Sequence, residues 1–100
     1  MTLFELQQIL ARGEDSQYQF KQNITNADSL AAEMVAMANG GKIIIGVNDN
    51  GEVTGLSSKD IRRLNQLISN VASDFIKPPI SPLTENIQTD KGLVLVIFVP

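Results

Sequence analysis

Cysteine, histidine and tryptophan are absent from this 100-residue sequence, and aromatic side chains are few: one tyrosine and four phenylalanines. Without thiolate or imidazole there can be no disulfide framework, no thiolate nucleophile, no Ser-His-Asp or Cys-His pair and no ordinary structural zinc site. Any metal would have to sit on carboxylates, carbonyls and water. Long apolar runs are missing too. The longest, Leu93 to Val99, suits a buried strand and falls far short of the roughly eighteen residues a membrane span needs. The segment Met1 to Gly13 breaks its apolar positions with Glu5, Gln7, Gln8 and Arg12. It therefore lacks the apolar centre of a secretory signal, and a cytoplasmic location is expected.

Positive charge is scarce: eight Lys and Arg stand against eleven Asp and Glu, for a net charge of −3. A surface that attracts phosphate everywhere is thereby excluded, because non-specific nucleic-acid affinity depends on cations displacing counterions. One local basic cluster remains, Arg62 and Arg63 with Lys59 just before them, which by itself reads as a solvated helix face. The composition, 43% hydrophobic and 19% charged, is that of a folded domain. A chain of this length removes roughly 65% of its unfolded surface from water, enough for one modest core. One domain spanning residues 1–100 is expected, the N-terminal piece of a longer protein because the sequence finishes on an apolar strand.

Local signals order the elements. Thr2 followed by Glu5 is a capping box, opening a helix over 3–12 with Leu3, Leu6, Ile9 and Leu10 on one face and Gly13 as its stop. Gln17 to Lys21 alternates, placing Tyr18 and Phe20 on one face of a strand and Gln17, Gln19 and Lys21 on the other. Asn26 or Asp28 caps a second helix reaching Asn39, whose buried face is Leu30, Ala31, Met34, Val35 and Ala38. Gly40-Gly41 ends it. Lys42 to Val47 reads as a strand buried on both faces, interrupted at Gly46 where another backbone comes close. Asn48-Asp49-Asn50-Gly51 is a hairpin turn, with a return strand over 52–54. A serine-capped third helix runs from Lys59 to Ile76 and buries Ile61, Leu64, Leu67, Ile68, Val71, Ala72, Phe75 and Ile76. Pro78-Pro79 closes it, and a strand within 80–87, a turn over 89–92 and a strand from Leu93 to Val99 follow. The expected fold class is α+β, a mixed β-sheet packed with three helices.

Few residues can carry chemistry. Gly40-Gly41-Lys42 is not a Walker loop, since a helix precedes it and a strand follows. The carboxylates Glu14 and Asp15 just before the first strand, Glu33 on the second helix and Asp49 at the hairpin turn would support metal-dependent phosphodiester cleavage only if they converged.

The run Glu14-Asp15-Ser16-Gln17-Tyr18-Gln19-Phe20-Lys21, the helix end Ala36-Met37-Ala38-Asn39-Gly40-Gly41, the strand and turn Lys42 to Gly51, Val53-Thr54-Gly55-Leu56 and the later Ile76-Lys77-Pro78-Pro79-Ile80 resemble the Schlafen-type AlbA-like domain. That family is described as a DNA-binding domain of bacterial transcriptional regulators, and the resemblance covers nearly the whole chain. It implies a nucleic-acid-binding module, with DNA or RNA as partner and no membrane association; the acidic balance and the exposed edges a mixed sheet leaves favour, as an alternative, a protein-interaction or dimerisation domain, with a homodimer as partner. Lys21, Lys42, Arg62 and Arg63 would meet phosphates, and the Gly40 and Gly41 amides would approach one closely. Similar domains in the Schlafen nucleases cleave structured RNA with a carboxylate triad and a metal. Matched to that triad, Glu14 is the first acid and Asp49 the third, but the second position is Gln19. A neutral amide offers a divalent cation no charge, so a binding role without chemistry is expected; Mg²⁺ or Mn²⁺ enters only under the nuclease alternative, and no cofactor otherwise.

Overall fold

The computed structural model describes residues 1–100. Three helices, α1 (Leu3–Arg12), α2 (Ala27–Ala36) and α3 (Ser58–Asp74), accompany four strands, β1 (Tyr18–Lys21), β2 (Lys42–Ile45), β3 (Leu83–Thr89) and β4 (Gly92–Phe98). The strands form one sheet in the order β1-β2-β4-β3. β1 and β2, joined through α2, pair in parallel, whereas β4 runs antiparallel to both of its neighbours. The mixed sheet and three helices match the α+β class expected from the sequence.

Both faces of the sheet are covered, because the central strands are apolar on both. On one face Ile43, Ile45, Leu95 and Ile97 pack with Leu30, Met34 and Met37 from α2 and its end, and with Ile61, Leu64, Ile68 and Val71 from α3. On the other, Phe20, Ile44, Val94, Val96 and Ile87 pack with Leu6 and Ile9 of α1. Every buried side chain is hydrophobic, so no polar group is stranded in either layer. The two layers divide one chain's burial between helices on opposite faces of a shared sheet.

The helix starts follow local chemistry. Thr2 and Glu5 form the reciprocal capping box, at 3.1 and 3.2 Å. Asn26, and not Asp28, caps α2 by accepting from the Ser29 amide at 3.0 Å. Ser57 and Asp60 repeat the box at α3. No helix is long and apolar enough to cross a membrane.

Several expectations need correction. α2 ends at Ala36, three residues before Asn39. The turn swings Met37 into the core, while Val35 is left 64% exposed and Ala38 exposed as well. Phe75 caps the end of α3 and is half exposed, whereas the next residue, Ile76, packs against the core. The return strand over 52–54 is reduced to a single Val47–Val53 bridge. β3 begins at Leu83, inside the expected 80–87, because Pro79 and Pro82 lack the amide a ladder needs, but it runs on to Thr89, two residues past that range. Gly46 behaves as expected. With φ at 105° it makes room for the Leu93 carbonyl, 3.0 Å from where a Cβ would stand.

Candidate nucleic-acid interface

Register alone brings four side chains into one row across the sheet: Tyr18 on β1, Lys42 on β2, Phe98 on β4 and Leu83 on β3. Because successive side chains alternate, this row shares its face with Phe20, Ile44 and Val96, the residues under α1. The helix stops short of it. Tyr18, Lys42 and Phe98 are half-buried and Leu83 is 72% exposed. The Lys42 ammonium lies 5.4 Å from the Tyr18 ring centroid and 5.7 Å from that of Phe98, within reach of cation–π attraction to both. It also donates to the Gly40 carbonyl at a long 3.4 Å and enters no ion pair. A cation held between two aromatic rings on an open strip of sheet can meet a phosphate while the rings accept a base.

The other cations expected to act with Lys42 lie elsewhere. Lys21 projects to the opposite face, where it pairs with Glu33 of α2 at 3.3 Å. Arg63 ties α3 to the loop before α2: it donates to the Ile24 carbonyl at 2.6 Å and to the Asn23 side chain. It also lies 3.8 Å from Asp60. Lys21, Asn23, Ser29 and Glu33 line a cleft of about 430 Å³ at the start of α2. Arg62 is exposed on α3 and enters no ion pair. The structure therefore separates Lys42 from Lys21, Arg62 and Arg63 by the thickness of the sheet.

The glycine amides are spent inside the fold. Gly40 donates to the Val99 carbonyl at 3.0 Å and Gly41 to the Met37 carbonyl at 2.9 Å, so neither is a free donor for a phosphate. Gly41 is required for packing: a Cβ there would stand 2.7 Å from the Met37 oxygen.

The acids implied by the nuclease resemblance do other work. Glu14 Oε1 accepts the Phe20 backbone N–H at 2.7 Å, on the side of β1 that has no neighbouring strand. Asp15 Oδ1 accepts the Gln17 and Tyr18 amides at 2.7 and 3.0 Å. Asp49 is an exposed turn residue, in a loop closed by Asn48, whose side-chain oxygen accepts the Asn50 and Glu52 amides. Gln19 reaches only the Asp15 carbonyl, at 3.4 Å. Nowhere do three acidic side chains gather. With an amide at the second position, these residues do not make the donor set a catalytic Mg²⁺ or Mn²⁺ would need.

Residue types alone do not single out Tyr18 and Phe98 as neighbours of Lys42: alternation places Tyr18 on one face of its strand, but only the β1-β2-β4 register sets both rings beside the lysine.

A four-stranded mixed sheet with one helix on one face and two on the other defines an α+β domain whose open sheet row is its most distinctive surface. The chain belongs to the family described as Schlafen, AlbA_2, whose model matches residues 14–100. Eight solved chains match it. One is the solution NMR structure of the N-terminal domain of a protein from Nitrosomonas europaea described as ATP-dependent DNA helicase RecG-related. It is 20% identical, with a TM-score of 0.64, over 100% of this chain and 73% of that one. This likeness shows the fold. No curated protein matches.

Proposed function

We propose that this chain is a nucleic-acid-binding module that acts without covalent chemistry, as part of a bacterial, cytoplasmic transcriptional regulator. The observation that carries the reading is the Lys42 ammonium held between the Tyr18 and Phe98 rings in the sheet row that α1 leaves open. Lys42 meets the phosphate of a nucleic-acid strand, and the rings take the adjoining bases by stacking, a contact that tolerates any base. Family membership supports the same reading. Lys21, Arg62 and Arg63 form a second basic region on the other face and serve as auxiliary phosphate contacts, though two of the three are already ion-paired. The net charge of −3 makes affinity depend on such local geometry, not on long-range attraction.

Fluorescence anisotropy with labelled duplex DNA, single-stranded DNA and structured RNA, each at two salt concentrations, tests the reading. Binding should weaken with salt, and Lys42→Ala should lower the slope of log K against log salt by about one. Tyr18→Leu should weaken binding by about 1–3 kcal/mol with the slope kept. No binding to any probe at low salt refutes the proposal. Loss on changing Lys21, Arg62 and Arg63, with Lys42→Ala unaffected, would move the interface to the opposite face.

A further inference from the structure

The sheet has two edges, and the chain treats them differently. At β1 the unpaired side is closed from within: Glu14 and Asp15 accept the amides of Phe20, Gln17 and Tyr18, and the Asp15 amide donates to the Tyr18 carbonyl at 3.1 Å. Nothing comparable covers β3. Six of its seven residues, all but Ile87, are not buried.

The direction of its free groups follows from β4. Leu93 and Val99 turn their backbone groups away from β3, Leu93 accepting from the Leu56 amide and Val99 donating to the Gly41 carbonyl. In an antiparallel ladder such orientation alternates, so Val94 and Val96 bond β3, at their partners Ile87 and Glu85. Thr84, Asn86 and Gln88 are left with N–H and C=O groups aimed outward. No backbone bond outside the sheet ladder reaches any of them.

Open edges are usually blunted by lysine, proline or a bulge, and β3 has none of these between Leu83 and Thr89. Its one charge, Glu85, is neutralised within the chain by the Met1 ammonium at 2.6 Å. Apolar side chains flank the edge: Leu83 is 72% exposed, and on α1, which packs beside β3, Phe4 is 66% and Leu3 40% exposed.

We propose that β3 pairs with β3 of a second copy, antiparallel about a two-fold axis at Asn86, so that two four-stranded sheets become one continuous sheet. A second copy is the occupant these residues fit. Centred on Asn86, the pairing sets Thr84 against Gln88 and Asn86 against its own copy, so hydroxyls and amides meet and no like charges do. An isologous contact of this kind closes on itself, satisfying both β3 edges at once. The β1 edges, closed by Glu14 and Asp15, stay outside and stop lateral growth.

Sedimentation over a concentration series, with amide exchange read by residue, tests the proposal. The chain should pass from monomer to dimer as concentration rises, with the amides of Thr84, Asn86 and Gln88 gaining protection only in the dimer. Asn86→Lys, which brings two ammonium groups together at the axis, should weaken dimerisation by about tenfold or more. The melting temperature of the dilute monomer should hold. Asn86→Pro should act likewise, because the amide it removes is not used by β4; should it unfold the chain, Asn86→Lys still decides. A chain that stays monomeric at about 1 mM overturns self-pairing and leaves the edge to a strand of another protein. A dimer that survives Asn86→Lys also overturns it, placing the contact on another surface.

Discussion

Glu14 offers a quantitative test of whether a carboxylate at the position matched to a nuclease's first acid is structural in this chain. Its Oε1 accepts the Phe20 amide at 2.7 Å, and Phe20 is fully buried with its ring under α1. A hydrogen bond from a buried backbone group to a charged acceptor contributes about 1.5–3 kcal/mol. Glu14 itself is exposed, so solvent screening puts the value at the low end, about 1.5 kcal/mol. Replacing Glu14 with Ala should cost that amount. For a domain of this size the melting temperature should then fall by about 6–12 °C. Glu14→Gln keeps an acceptor oxygen and loses the charge, and because charge-assisted bonds are about twice as strong as neutral ones, it should cost about half as much. Urea and thermal denaturation measure the two losses, and amide exchange at Phe20 localises them. If Glu14→Ala melts within about 1 °C of the parent, or if the Phe20 amide keeps its protection, Glu14 does not close this edge. Glu14→Gln matching Glu14→Ala would show that charge, not acceptor geometry, was all that mattered.

Gly41→Ala should destabilise by about 1–3 kcal/mol through overpacking, since the added methyl stands 2.7 Å from a backbone oxygen and 2.9 Å from the Met37 Cβ; calorimetry showing no loss would mean that the Met37 turn yields freely. Acid should loosen two helix starts. Glu5 is held below its ordinary 4.5 by the Thr2 amide and then its hydroxyl, and Asp60 below its ordinary 3.8 by the Ser57 amide, then the Ser57 hydroxyl, with Asn23 and Arg63 adding to it. Groups whose folded pKa is lowered contribute stability that is complete above the unfolded value and is lost as pH falls through the folded one. The urea midpoint should therefore drop as pH falls below about 4.5, and a Glu5→Gln, Asp60→Asn protein should show a shallower drop; equal acid slopes would refute the assignment. Leu64→Ala, at a position with no exposure between α3 and the sheet, should cost about 2–5 kcal/mol, measured by urea denaturation, and a loss below about 1 kcal/mol would mean that the layer collapses around the gap.

Much of this molecule was legible without coordinates where the determining physics is local. The Thr2-Glu5 box, the Asn48 to Gly51 turn and the alternation of Tyr18 and Phe20 each depend on neighbours a few residues apart, and each is found as read. The apolar runs of β2 and β4 announced burial on both faces, because a strand polar on neither side has no side to give to water. Helix ends were less legible. Val35 and Phe75 have the right spacing for a buried face, yet whether a helix face meets the core depends on where the helix stops relative to the sheet beneath it.

The site divides along the same line. Residue types singled out Lys21, Lys42, Arg62, Arg63, Glu14 and Asp49, but the function of a charged side chain depends on what stands beside it, and those neighbours come from distant segments. Register set Lys42 between Tyr18 and Phe98, while Lys21 was drawn to Glu33 and Arg63 to Asn23 and Ile24. The different closure of the two sheet edges likewise exists only once β1 and β3 lie on opposite sides of one sheet. Composition and local pattern determined the elements and excluded thiol, imidazole and zinc chemistry. Tertiary structure decided which cations are committed inside the fold and which strand edge stays open, because pairing and burial are set by contacts between residues tens of positions apart.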